Sequence, residues 1–260
     1  MELVWRQFDY WVTVYRRTWR GSVVSSFLLP VLFLTAMGVG LGGFVDSQAH
    51  KTALGGLSYL DYIAPGLLAS TAMQMAFGET TWPVMGAIRW HKTYFAQLAT
   101  PLRPVDILNA HLIFVAFRIA TSSLVFLLVI AAFGTVGSVA GGVAAFLVVV
   151  LLGMAHATPM FAISASLKTQ SGFSIVYRLV VIPMSLFSGT FFPVSQLPAG
   201  ISWIAYETPM WHGVELARMS TTGAVSWWPA VGHVAYLLAW LVVGWWFARR
   251  ALHHRLVEKG

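Results

Sequence analysis

Six stretches of the chain, residues 23–44, 62–85, 107–133, 142–167, 173–192 and 229–247, run apolar for about 20 residues or more with almost no charge. A helix rises about 1.5 Å per residue, so each stretch suffices for the ~30 Å hydrocarbon core of a bilayer. Backbone amides in that core find no water and must bond within their own segment, which dictates helices. The expected fold is therefore all-α: a polytopic membrane protein of six transmembrane helices. Charge agrees with it. Only 10% of the residues are charged, against roughly 25% in a soluble domain, too few to wet a surface of this size. Twelve Trp residues and a 14% aromatic share suit a protein with two membrane–water interfaces to anchor.

The formal net charge is +7, and its distribution excludes a nucleic-acid face, because the basic residues sit in short clusters between apolar blocks. Arg6, Arg16, Arg17 and Arg20 precede the first stretch. Arg89, Lys92 and Arg103 follow the second, Lys168 and Arg178 the fourth, and Arg249, Arg250, Arg255 and Lys259 the sixth. Thirteen of sixteen basic residues thus fall on one side, with Lys51 and Arg218 on the other and Arg118 inside a span. Positive residues mark the cytoplasmic side. Both termini are expected there, which requires an even number of spans.

Residues 1–20 do not span. Val4, Phe8, Trp11, Tyr15 and Trp19 recur at helical steps, with Arg6, Asp9, Thr13, Arg16, Arg17 and Arg20 mostly off that stripe. Such a helix lies in the interface plane, rings in the acyl boundary and arginines among head groups. The apolar run behind it is too long for a signal-peptide core and reads as a first span. Residues 193–228 are too apolar for a free loop, and Pro193, Pro198 and Pro209 interrupt them too often for a span. Two short helices beginning near Pro198 and Pro209 and dipping back into the outer leaflet are expected. No domain boundary is visible, so residues 1–260 read as one membrane domain.

Chemistry-bearing motifs are few. The chain has no cysteine, which removes disulfides, thiol catalysis and Cys-based metal sites. It has no G-x-x-x-x-G-K-[ST], H-E-x-x-H or G-x-S-x-G. His156 and Ser164 stand eight residues apart on one helix, about 12 Å along its axis, which is no catalytic dyad. His253 and His254 have only Glu258 near them, a poor basis for a lipid-head-group enzyme. Three ionisable residues fall inside spans, where charge is costly: Glu79, Arg118 and His156. They line a polar path, or they fasten neighbouring spans; an ion-coupled transporter would work through the first arrangement. Glycines at 38, 42 and 43 and at 137, 141 and 142 have the small-x-x-x-small spacing that permits close helix approach, chiefly within the chain.

The stretch 86–106 alternates Arg89, Lys92 and Gln97 with Trp90, Tyr94, Phe95 and Leu98, a short amphipathic helix halted at Pro101. It lies on the lipid surface or docks a cytoplasmic partner. Two groups of residues then carry a resemblance. One is Phe77-Gly78-Glu79-Thr80-Thr81-Trp82, followed by Lys92-Thr93-Tyr94 and by Leu98-Ala99-Thr100-Pro101-Leu102. The other runs from Ser188-Gly189-Thr190-Phe191-Phe192-Pro193 through Leu197-Pro198 to the segment from Pro209 to Arg218. With these the sequence resembles a type-2 ABC transporter permease, most of all the membrane subunits of nodulation-factor (lipo-chitooligosaccharide) exporters and their drug-export relatives.

That resemblance implies a bacterial inner-membrane, non-catalytic subunit that binds no cofactor. ATP and Mg would sit on a separate cytoplasmic ATPase. The ATPase would seat on a coupling helix containing Arg89, Trp90, Lys92, Tyr94, Phe95, Leu98, Thr100 and Pro101. A second copy or a paralogue would complete the path for an amphiphile such as a lipid-linked oligosaccharide, a glycolipid or a hydrophobic drug. Phe192, Pro193, Pro198 and Pro209 would shape the outer re-entrant segment. Glu215 and Arg218 would pair there at i, i+3.

Overall fold

The computed structural model describes residues 4–9, 11–13, 15–16, 28, 31–41 and 54–258. Among them every regular element is helical. The main helices are α1 (Tyr59–Thr80), α2 (Thr93–Leu98), α3 (Pro104–Ala132), α4 (Val139–Ser166), α5 (Ser171–Phe187), α6 (Ala199–Tyr206), α7 (Pro209–Thr222) and α8 (Trp227–His253). The first expected span is described only at residues 28 and 31–41, all helical. Trp19, Arg17, Arg20, Gly42, Gly43 and Lys51 lie outside the described residues.

Local chemistry sets the helix starts. Ser58 Oγ accepts the Asp61 amide at 3.1 Å and opens α1. Pro104 opens α3 in the first turn, where no N–H is needed, and the Asp106 carboxylate accepts the Arg103 amide at 3.0 Å. The prolines at 198 and 209 act as the sequence predicts: Pro198 caps α6, and Pro209 opens α7 behind a Thr208 hydroxyl that accepts the Trp211 amide at 3.3 Å.

Helix α4 is the hub, packing against α8, α1, α7 and α3. Glycine lets these helices approach. A side chain on Gly213 of α7 would collide with Leu152 of α4, and one on Gly244 of α8 with Thr158 and Pro159. Gly137 and Gly141 serve the same purpose within the chain, the Gly137 amide donating to the Thr221 carbonyl at 2.8 Å.

Three helices among the described residues are long and apolar enough to cross a membrane: Pro104–Ala132, Val139–Ser166 and Trp227–Glu258. Only 17% of the most apolar part of the last is buried inside the chain. Trp228, Val231, Leu238 and Val242 all stand exposed on it, a surface suited to lipid. Helix α5 is apolar but covers only about 25 Å at 1.5 Å per residue, and it ends at Ser188 rather than near Phe192.

The structure departs from the sequence expectation at three other places. The stretch 62–85 does not stay one helix. It breaks at Thr81 because Pro83 has no N–H for the Glu79 carbonyl, and the chain restarts as the short Trp82–Met85 helix. The amphipathic segment 89–101 is not one helix either. Gly86–Trp90 is a wide turn closed by the His91 amide on the Gly86 carbonyl at 2.9 Å, Lys92 takes a left-handed φ of 50°, and only Thr93–Leu98 is α-helical. Third, the aromatic stripe of the N-terminal arm meets protein as well as any lipid. Trp11 stacks on Phe114 at 5.4 Å between centroids, and Tyr15 meets Phe117 at 5.9 Å, both rings on α3.

Candidate functional site

The break after α1 creates the site. With Pro83 unable to donate, the Glu79 carbonyl would be bare at the end of the helix. His111 of α3 supplies the missing donor, its Nε2 lying 3.0 Å from that oxygen. A carbonyl only accepts, so Nε2 carries the hydrogen, and Nδ1 of the neutral ring is an acceptor. The Tyr94 hydroxyl of α2 donates to Nδ1 at 2.6 Å. Three elements are thereby joined in one line: α2 through Tyr94, α3 through His111 and α1 through Glu79. Tyr94 is fully buried, and burial pushes its phenol well above the ordinary range. Rings of Trp11 and Phe161 close around His111, at 4.7 and 5.4 Å between centroids.

The Glu79 side chain continues the line. Its Oε1 accepts from Arg118 Nε of α3 at 2.8 Å, and the two side chains are only 17% and 11% exposed. The Arg118 guanidinium lies over the Tyr15 ring at 4.4 Å, which brings in the N-terminal arm. Of the two open readings for Glu79 and Arg118, the geometry is that of neighbouring helices fastened together. His156 stands apart. Its Nδ1 donates to the Leu152 carbonyl of its own helix at 2.8 Å, and among the described residues no hydrogen bond or ion pair joins it to Glu79 or Arg118.

The residues expected on the coupling segment divide by direction. Tyr94 is buried, and Phe95 and Leu98 pack against the core. Arg89, Trp90, Lys92, Thr100 and Pro101 face outward, Trp90 being 54% exposed and stacked on Trp82 at 5.9 Å. Segment 89–101 therefore has an inner row of anchors and an outer row that includes two cations and an indole.

At the far end of the bundle Arg218 of α7 makes a second brace. It bonds Glu215 at 2.6 Å, the Gly189 carbonyl at 2.6 Å and the Tyr62 carbonyl of α1 at 3.4 Å, and it lies over the Tyr62 ring at 3.9 Å. The Tyr62 hydroxyl also reaches the Gly189 carbonyl, at 3.2 Å. Gly189 turns the chain at φ 80°, ahead of the half-buried Phe192 and Pro193. Nearby, His212 Nδ1 and His233 Nδ1 lie 2.6 Å apart between α7 and α8, so one ring donates and the other accepts.

Two cavities run along α1. The larger, about 600 Å³, is walled by Leu67, Ser70 and Gln74 of α1, Phe126 of α3, and Val181 and Ser185 of α5, and among the described residues no charged side chain lines it. The smaller, about 430 Å³, lies toward the α2 end beside Thr81, Trp82 and Phe173, with Arg178 as the cation on its wall. Gln74, Gly78 and Tyr177 line both. Neither His111 nor these cavities is marked by a motif in the sequence. The i, i+4 pair Ser70 and Gln74, whose amide donates to the hydroxyl at 3.3 Å, was the available signal for a polar strip on one face of α1.

The amino-acid sequence matches the ABC-2 type transporter family over residues 1–221. It is similar to nodulation protein J of Rhizobium leguminosarum bv. trifolii, 29% identical over 264 residues covering 95% of this chain and 94% of that protein. Nodulation protein J of Rhizobium leguminosarum bv. viciae is 28% identical over 258 residues, 95% of each chain. That of Rhizobium meliloti (strain 1021) is 26% identical over 257 residues, 95% of this chain and 94% of the other.

Proposed function

The chain belongs to the ABC-2 type transporter family and is a membrane-embedded ABC transporter subunit, and from that premise we propose that it is the permease of an exporter driven by a separate cytoplasmic ATPase. The ATPase binds ATP and Mg and seats on the outer row Arg89, Trp90, Lys92, Thr100 and Pro101. The observation that carries this reading is the Tyr94–His111–Glu79 line, at 2.6 and 3.0 Å. A push on α2 reaches α3 and the end of α1 through two short bonds between buried groups, and α1 walls both cavities. ATP-driven closure of the ATPase thereby alters the space between α1 and α5.

The cargo this path suits is an amphiphile. The larger cavity is apolar with uncharged hydrogen-bonding groups at Ser70, Gln74 and Ser185. A lipid-linked oligosaccharide, a glycolipid or a hydrophobic drug would fit such walls, and two copies of the chain, or one and a paralogue, would face their cavities together. Six spans with both termini in the cytoplasm of a bacterial inner membrane is the topology favoured by the basic loops. The segment between α5 and α8, with α6 and α7, then covers the outer side as a re-entrant cap. An ion-coupled carrier is the weaker reading, because Glu79 and Arg118 are taken up by each other and His156 bonds its own helix.

The test is association. Co-expressed with its ATPase, the Arg89→Glu/Lys92→Glu variant should insert normally and retain roughly 10-fold less ATPase on purification, the loss expected for reversing two rim charges. Undiminished retention removes the docking assignment.

A further inference from the structure

We propose that the C-terminal end of α8 is a binding site for an anionic phospholipid, its phosphate held by Arg249 and Arg250 and an acyl chain lodged beneath the N-terminal arm. Two cavities lie there, one walled by Trp245 and the other by Trp246. One, about 380 Å³, lies between Val4 and Trp5 of the arm and the helices α3, α4 and α8, and among the described residues no charged side chain lines it. Its polar groups are already paired: Asn109 Oδ1 accepts Trp245 Nε1 at 2.9 Å, and the Thr158 hydroxyl donates to the Leu241 carbonyl at 3.2 Å. Nothing in it asks for a polar guest, so its occupant is hydrocarbon.

The other cavity, about 530 Å³, is walled by Trp246, Arg249, Arg250, His253, His254 and Glu258. The one acid is engaged, hydrogen-bonded by His254 with His253 at 3.7 Å. Neither arginine has a carboxylate partner among the described residues. Each is instead laid over an indole, Arg250 on Trp246 at 3.7 Å and Arg249 on Trp245 at 5.8 Å. Trp245 also walls the apolar cavity, so the Arg249–Trp245 pair is the seam between the two. Stacked guanidiniums with their N–H forks unpaired suit phosphate oxygens. The seam lies at the end of a helix long and apolar enough to cross a membrane, where tryptophan marks the head-group level. An apolar slot beside a doubly cationic one is the form of a phospholipid, and a soluble anion would leave the first empty.

The experiment titrates the full chain in neutral detergent with short-chain phosphatidylglycerol, short-chain phosphatidylcholine, or glycerol phosphate, reading bound lipid by native mass spectrometry. Phosphatidylglycerol should bind and the other two should not. Arg249→Gln/Arg250→Gln should weaken it roughly 30-fold, since each basic residue near a bilayer surface attracts anionic lipid by about a factor of five. Arg89→Gln/Lys92→Gln should leave it unchanged, and Ala116→Leu, which narrows the apolar cavity, should weaken it with the arginines intact. Size-exclusion elution and lipid-free Tm confirm that each variant is folded. Equal binding of phosphatidylcholine, full displacement by glycerol phosphate, or undiminished binding in a folded arginine double variant overturns the proposal.

Discussion

Replacing Tyr94 by Phe deletes one oxygen and leaves the ring. In the native chain that oxygen donates to His111 Nδ1 over 2.6 Å in a fully buried setting. The imidazole cannot turn to another use, because its Nε2–H is committed to the Glu79 carbonyl that Pro83 leaves without a backbone donor. The variant therefore holds a bare buried acceptor, at a cost of about 1–3 kcal/mol. The ring still fills its space, so no cavity term is added. For a chain of this size the loss corresponds to a fall in Tm of roughly 2–12 °C. The link between α2 and the end of α1 is cut at the same time.

If that link transmits work, losing coupling energy of about 1–3 kcal/mol reduces transport per ATP by roughly 5- to 150-fold. Vesicles carrying the permease–ATPase complex, with ATP hydrolysis and export of a labelled amphiphile measured in the same sample, give the ratio directly. ATPase retention should be unaffected, because Tyr94 does not reach the surface. A lowered Tm with unchanged transport per ATP would refute the relay, and an unchanged Tm would refute the hydrogen bond itself.

Other outcomes follow from the same geometry. Glu79→Leu or Arg118→Met alone should destabilise the chain by about 3–5 kcal/mol by stranding a buried partner, whereas the two together should cost clearly less than the sum; additive losses in thermal unfolding would mean the two charges are not a pair. Burial, and then the neighbouring His233, hold the His212 imidazole down to about 4 from its ordinary 6.5. As pH falls below 6.5 the unfolded chain takes up a proton that the folded chain refuses until about 4. Tm should therefore drop across that window, and less steeply in His212→Gln; parallel pH profiles would count against the assignment.

Much of the fold was legible because its signals are local. The starts of α3, α6 and α7 follow from proline at 104, 198 and 209, each placed where a helix needs no donor. The apolar runs behind α3, α4 and α8 need only length and composition. The break at Thr81 was equally local, since Pro83 names the carbonyl it abandons, yet an apolar run conceals it. Around helix α2 the alternation sets Tyr94, Phe95 and Leu98 against Arg89 and Lys92, and the structure turns that row inward; Trp90 belongs to the same row by spacing yet stands outward, because the chain leaves the helical path at His91 and Lys92. His111 was invisible for a different reason. Its role depends on a carbonyl 32 positions earlier and a hydroxyl 17 positions earlier, and no spacing rule connects three separate helices.

The distribution of charge inside the bundle bears on how the path is built. Arg118 grips α1 near one end through the Glu79 carboxylate, and Arg218 grips it near the other through the Tyr62 carbonyl and ring. Between those two points α1 presents Ser70, Gln74 and Gly78 to the larger cavity, and among the described residues no acidic, basic or histidine side chain lines it. A buried charge is costly unless paired, and both arginines are paired, Arg118 with Glu79 and Arg218 with Glu215. The ionisable residues thus hold the position of α1, and the wall they support is left to uncharged groups. The proposed engine outside the membrane suits such a wall, whose described residues offer an ion gradient no acidic, basic or histidine side chain.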